Sequence, residues 1–280
     1  MTVLAAGLAL LGSLFFALGA ALQQFEASST SRAVLRHLVR RPRWLLGGLA
    51  IAAGTALHVV ALKYGPLTVV QPMGVASLLF ALPCAAALRR RRPRPGELAA
   101  AAVISIGLIG LVLVVPDQGG DPHLGTGEAV ALLAGAAAAS LALWTAARQA
   151  SPAARACLLA MGAGVLYGAT ATLTRVLVDG GGEFWFLLAV PMPALIALAL
   201  LQRAYAVGHF GVAFAALQVS DPLTAVVFGA LLLGEPLPTG VAAVLTALAA
   251  AALTAAGTVS LARTTPMSPS HDVTARRTAR

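Results

Sequence analysis

One carboxylate, one histidine and a handful of amides and hydroxyls interrupt long uncharged runs, and the chemistry open to this chain lies with them. Asp221 stands directly before Pro222 inside the apolar run 210–233. An ionised side chain at that depth in hydrocarbon costs roughly 2.5–3.5 kcal/mol on insertion scales. A carboxylate there reads as a cation ligand or a proton-coupling group, and structurally as a helix cap satisfied by a histidine or water. Proline lacks a backbone donor and disfavours helix at the residue before it. Asp221-Pro222 therefore predicts a broken helix, with Ser220 or Asp221 capping a half-helix that starts at Pro222. Gln218, just ahead of the break, is a second ligand beside Asp221, and Asp221 is the ligand if a metal ion is bound.

Four further side chains complete the set. His58, in the run 44–62, titrates with Asp221 or touches a bound solute, against an equal case for a histidine bonded to a helix carbonyl. Gln71 precedes Pro72 as Asp221 precedes Pro222, and offers both a donor and an acceptor. Tyr167, with Thr170, Thr172 and Thr174, makes the run 156–174 polar ahead of Arg175. Threonines at this depth also bond back to the preceding turn or join helices. Gln23 and Gln24 close the first run beside Glu26, and at least one of them is expected to reach the membrane interface. No catalytic residue and no cofactor is assigned, since the chain has no HExxH, no paired central carboxylates and no nucleophile elbow.

The elements that must position these groups follow from composition. Of 280 residues, 59% are hydrophobic and 10% are charged, against about 25% charged in a soluble domain. Ten acids and nineteen bases could not cover a soluble surface of this size. Disorder fails on apolar content, and a disulfide scaffold fails on two cysteines, Cys84 and Cys157, which read as small buried hydrophobes. A helix needs roughly 20 apolar residues to cross the bilayer. Residues 3–22, 44–62, 67–88, 98–116, 129–147, 156–174, 184–202, 210–233 and 238–261 qualify, and Asp221 is the one formal charge in them. Barrel strands would be shorter and alternating. The fold class is an all-α polytopic membrane helical bundle of about nine transmembrane helices.

All but two of the nineteen bases fall on alternate connections and the tail. Arg32, Arg36, Arg40, Arg41 and Arg43 lie in the first, and Arg89, Arg90, Arg91, Arg92 and Arg94 in the third. The positive-inside bias then puts the N-terminus outside and the C-terminus in the cytoplasm, in the plasma or inner membrane. The clusters are topology determinants beside anionic lipid, not a nucleic-acid surface. The first run lacks a basic leader and reads as a retained helix. Trp44, Trp144 and Trp185 read as interfacial belt residues, and Gly164…Gly168 as a close-packing spacing that leaves a homodimer open. Residues 1–116 form one half, 117–128 an extracytoplasmic linker, 129–262 a second half and 263–280 a disordered tail.

Two stretches echo each other, Ala61-Leu62-Lys63-Tyr64-Gly65-Pro66-Leu67 and Ala204-Tyr205-Ala206-Val207-Gly208-His209-Phe210. Each opens a proline-interrupted span that ends on a Pro-x-Pro turn, Pro93-Arg94-Pro95 or Pro236-Leu237-Pro238. On the topology above the two copies run in opposite directions, which is an inverted-topology repeat. Together with Ser13-Leu14-Phe15-Phe16-Ala17-Leu18-Gly19, Gln23-Gln24, Gln71-Pro72, Asp221-Pro222 and Leu233-Gly234-Glu235-Pro236, the pattern resembles the drug/metabolite transporter (EamA-like) superfamily over nearly all of residues 1–262. The four-helix first half is most similar to the branch related to the NIPA-type magnesium transporters. The resemblance implies alternating access by two inverted halves around a central cavity. The expected function is secondary transport of a small organic solute, with a magnesium or divalent-cation carrier as the alternative and a non-transporting scaffold third. The expected partners are that small-molecule or cation substrate and membrane lipid.

Overall fold

The computed structural model describes residues 2–29, 35–65, 70, 73–114, 123–178, 183–234 and 240–264. Its helices are α1 (Thr2–Ser28), α2 (Pro42–Tyr64), α3 (Ser77–Leu88), α4 (Pro95–Val114), α5 (Thr126–Ala147), α6 (Pro152–Val178), α7 (Pro191–Ala206), α8 (Phe210–Leu232) and α9 (Val241–Thr264). Single helical turns at Leu35–Leu38 and Phe186–Ala189 accompany them, and no strand occurs among the described residues. Eight helices are long and apolar enough to cross a bilayer; the apolar helix Met73–Leu88, which contains α3, is shorter. The protein is an all-α, multi-pass membrane bundle.

Proline in the first turn opens α2, α4, α6 and α7, where its missing donor costs nothing. Glu97 accepts the Arg94 backbone N–H at 2.9 Å at the start of α4, and Glu128 accepts that of Gly125 at 3.0 Å before α5. The α7–α8 turn depends on Gly208 at φ +94°, a conformation that suits glycine alone. Its partner in the sequence echo, Gly65, is extended at φ −158°, so the two turns differ in backbone.

Lipid supplies no hydrophobic drive between helices, so close approach rests on small residues. In the antiparallel pair α1–α2, Gly12 faces Gly54 and Gly19 faces Gly47, each against the other's backbone carbonyl. In α4–α9, Gly107 receives Thr254 and Gly257 receives Ile104. Gly164 and Gly168 of α6 form a groove for α8 at Ser220, Asp221 and Thr224. α6 is the most enclosed span and packs on α5, α7 and α8; α1 packs on α2 and α3. Residues before and after the 117–128 connection meet along α4–α9, α1–α7 and α3–α8. The core is rich in alanine, including Ala17, Ala21, Ala160, Ala163, Ala213 and Ala215. Large apolar side chains such as Leu49, Leu188, Leu195 and Leu248 point outward, which a soluble monomer rarely tolerates on this scale.

Three expectations need correction. α8 runs unbroken through Pro222. Ser220 does not cap a new helix, because its hydroxyl donates to the Ala216 carbonyl at 2.7 Å. Membrane helices absorb an internal proline where neighbours satisfy the backbone, and α6 packs against α8 at this point. α1 continues past residue 22 to Ser28, which carries Gln23, Gln24 and Glu26 into the bundle. Helix α9 extends through Arg263 and Thr264, residues read above as tail, while α5 starts at Thr126 within the 117–128 linker.

A methyl group at Gly54 would lie 2.5 Å from the Gly12 carbonyl and 2.9 Å from the Phe16 nitrogen, whereas nothing lies within 4 Å of one at Gly135. Gly54→Ala is expected to cost about 1–3 kcal/mol by overpacking, and Gly135→Ala to be neutral. Thermal unfolding of the two variants in nanodiscs checks the contrast.

Candidate functional site

Two levels of buried polar groups cross the seam between the two halves. At mid-depth, Gln218 of α8 donates from Nε2 to the Ser77 hydroxyl of α3 at 2.7 Å. Ser13 of α1 donates to the Met73 carbonyl at 2.7 Å and shares its proton with the Ala9 carbonyl of its own helix. These bonds tie α1, the α3 segment and α8 together in a layer where water cannot compete. Asp221 lies one helical turn beyond Gln218, partly buried, over the α6 groove of Gly164 and Gly168. Tyr167 precedes Gly168 on α6, and Tyr205 of α7, which packs on α6, is buried. Phe16, Phe214, Phe210 and Tyr205 continue from there as a chain of ring contacts 5.5–6.1 Å apart.

The second level lies at the end of the bundle that carries the arginine-rich connections. Trp44 Nε1 donates to Gln202 Oε1 at 3.1 Å, and Gln202 Nε2 donates to Gln23 Oε1 at 3.0 Å. This chain links α2, α7 and α1, and all three side chains are buried. Around it, Arg41 pairs with Glu26 at 2.9 Å, and Arg91 holds the fully buried Glu97 at 2.8 and 3.2 Å. Arg89 donates to the Ser28 hydroxyl at 2.7 Å and weakly to Gln24 Oε1 at 3.4 Å. Burial, reinforced by the charge of Arg91, holds Arg89 below the usual arginine pKa. In the α7–α8 turn, burial likewise lowers His209, whose Nδ1 has no hydrogen-bond partner.

The structure thus gathers Asp221, Ser220 and Tyr167 on the α6–α8 contact, with Gln218 next along α8. Gln23 is not at this level; it belongs to the arginine-rich end. His58 faces Gly74 at the start of the α3 segment, and among the described residues no ion pair joins it to Asp221. The expected His58–Asp221 couple is therefore not formed. Gln71 lies outside the described residues. Thr170, Thr172 and Thr174 donate to carbonyls of their own helix at 2.7–2.9 Å, the back-bonding alternative for that run.

Gln23 and Gln24 are both buried against neighbouring helices, and Trp44 is a buried donor. Trp185 bonds the Thr126 hydroxyl at 3.3 Å, and Trp144 carries Arg148 at 3.8 Å over its ring. Cys84 and Cys157 are free thiols, each partly buried. Gln202, Ser77, Ser13 and Arg89 are not among the candidates that the sequence singles out. An isolated amide ahead of Arg203 was the one signal for Gln202, and it reads equally well as a helix end.

No family model matches the chain, and no solved structure matches it. Over 223 residues, 77% of this chain and 77% of the relative's length, it is 26% identical to an uncharacterized protein of Corynebacterium glutamicum. That likeness carries no activity with it.

Removing the Gln202 amide strands the Trp44 indole N–H and the Gln23 carbonyl. Gln202→Leu should cost about 1–3 kcal/mol for the unmet buried groups. Trp44→Phe in the same background should add less than it does alone, because the two share one bond. A double-mutant cycle on thermal unfolding measures this coupling, and strict additivity would contradict the bonded chain.

Proposed function

We propose that this membrane protein is a secondary transporter of the drug/metabolite transporter type, moving a small organic solute by alternating access of two inverted halves. The observation that carries the reading is Asp221, an ionisable side chain held at mid-depth inside the bundle one turn from Gln218–Ser77, a hydrogen bond between the halves. Ionisable groups inside membrane spans are expensive and mark solute or proton paths more often than they mark scaffolds. Asp221 is the coupling group in this mechanism, gaining and losing a proton or a cationic solute as the seam opens to either side. Tyr167, one residue before the Gly168 that meets Asp221, is the hydroxyl offered from the facing helix.

The packing supports two related halves. α1 contacts α2 and α3 as α6 contacts α7 and α8, and α3–α8 and α4–α9 pair corresponding helices across the seam. Because α8 is continuous, access alternates by rocking of whole helices, with the Trp44–Gln202–Gln23 chain closing the arginine-rich end. The arginine placement puts that end in the cytoplasm and the N-terminus outside, in the cell membrane. Asp221 is the one carboxylate in the apolar runs, whereas Mg²⁺ is usually held by one or two carboxylates with retained waters, and we take the organic solute as the first reading.

Asp221→Asn keeps the size of the side chain and removes its titration. It should insert normally and lower coupled flux in proteoliposomes at least tenfold, about 1.4 kcal/mol of lost coupling. A panel of labelled metabolites, amphiphilic cations and Mg²⁺ identifies the flux to follow. Unchanged flux in the variant would remove Asp221 from the mechanism, and saturable Mg²⁺ flux would move the reading to a cation carrier.

A further inference from the structure

The guanidinium groups at the arginine-rich end differ in what they meet. Arg41 has Glu26, and Arg91 has both oxygens of Glu97. Arg89 is half-buried, yet its partners are two neutral oxygens, Ser28 Oγ and Gln24 Oε1, and among the described residues no carboxylate meets it. A guanidinium does not escape this by losing its proton. It is a cation drawn partly out of water with no carboxylate beside it among the described residues.

A second group points the same way. Gln24 is 1% exposed, and the bond from Arg89 takes its carbonyl oxygen. With its oxygen turned to Arg89, the amide has Nε2, two N–H donors, buried without an acceptor among the described residues. Next along α1 is Phe25, whose ring has Arg89 at 5.8 Å and Arg43 at 5.9 Å from its centroid. The last turns of α1, the end of α3 and the start of α2 therefore set two arginines around the Phe25 ring, one of them bonded to the amide whose donors are orphaned. The nearest carboxylate on α1, Glu26, is engaged by Arg41.

We infer that the cluster of Gln24, Arg43 and Arg89 is a binding site for a phosphate-type oxyanion. A tetrahedral oxyanion offers acceptors in several directions at once, which suits donors arriving from three helices, and arginine forks match its geometry. The site sits where α1 and α3 end and α2 begins, beside the arginine-rich connections, so the phosphate belongs either to an anionic phospholipid or to a phosphate-bearing solute. The inference is independent of transport, because it concerns binding and needs no flux.

Its test uses the full-length protein in phosphatidylcholine nanodiscs, read by the thermal unfolding midpoint, since a ligand that binds the folded state raises it. One arm adds inorganic phosphate against chloride at equal ionic strength, and the other includes phosphatidylglycerol in the disc. The midpoint should rise in at least one arm. The rise should fall by half or more in R89Q, R43Q and Q24L, and persist in R148Q, whose arginine stacks on Trp144 outside the cluster. A rise with inorganic phosphate assigns a soluble ligand; a rise confined to phosphatidylglycerol assigns a lipid headgroup. No rise in either arm overturns the site, as does a rise that R43Q and R89Q retain. If R89Q does not fold, R43Q alters an exposed side chain and carries the test alone.

Discussion

Inside a bilayer a polar group has no water to turn to, so each one must be satisfied by the protein or be left at a cost of several kcal/mol. That constraint organises this bundle. Backbone groups are met within helices, and threonine and serine hydroxyls are returned to the turn behind them, as at Thr172, Ser220 and Thr254. The amides too long for that solution are joined to each other or to a hydroxyl across helices, as Gln202 is to Gln23 and Gln218 to Ser77. Such bonds require the helix axes to lie close, and the glycine contacts at Gly12–Gly54, Gly19–Gly47 and Gly164–Ser220 bring them there. Small residues and polar bonds are two halves of one packing scheme.

Function and stability then draw on the same bonds. The two polar levels both join the first half of the chain to the second, so any movement of one half against the other must break or slide them. Gln218–Ser77 lies beside Asp221, and Trp44–Gln202–Gln23 lies at the arginine-rich end. The proposed transport needs contacts that hold in one state and yield in another, and interhelical bonds of this kind average only about 0.6 kcal/mol where they have been measured in membranes. Bonds of that size hold a closed seam without locking it.

Much of the architecture was legible in the sequence because a bilayer imposes a length on every span. Most of the helices coincide with the apolar runs to within a turn or so, α1 and the short α3 being the departures, and the Gly164…Gly168 spacing forms a packing groove. What failed was side-chain address. Gln23, Gln24 and Trp44 sit at the end of one run and the start of another, where composition cannot separate a residue that turns to the interface from one that turns inward. α1 runs on past its apolar stretch and carries both glutamines inside. The break at Pro222 was inferred from local backbone preference, and packing on α6 overrode it. The His58–Asp221 pair failed because pairing depends on which helices are neighbours, and α2 packs on α1 rather than on α8. Gln202 and Arg89 gave little signal, since an amide or arginine at a span end looks the same whether it is buried or wet.

The most direct measurement is the accessibility of position 221 from water. With Cys84 and Cys157 replaced by alanine and Asp221 by cysteine, the protein is reconstituted in liposomes and exposed to a charged, membrane-impermeant thiol reagent on either side. A seam that opens to water predicts labelling at position 221, slower than at an exposed loop but complete with time. A position that reacts only with lipid-soluble reagents, or with none, would contradict the account, because the carboxylate would then lie in lipid or in a permanently closed core.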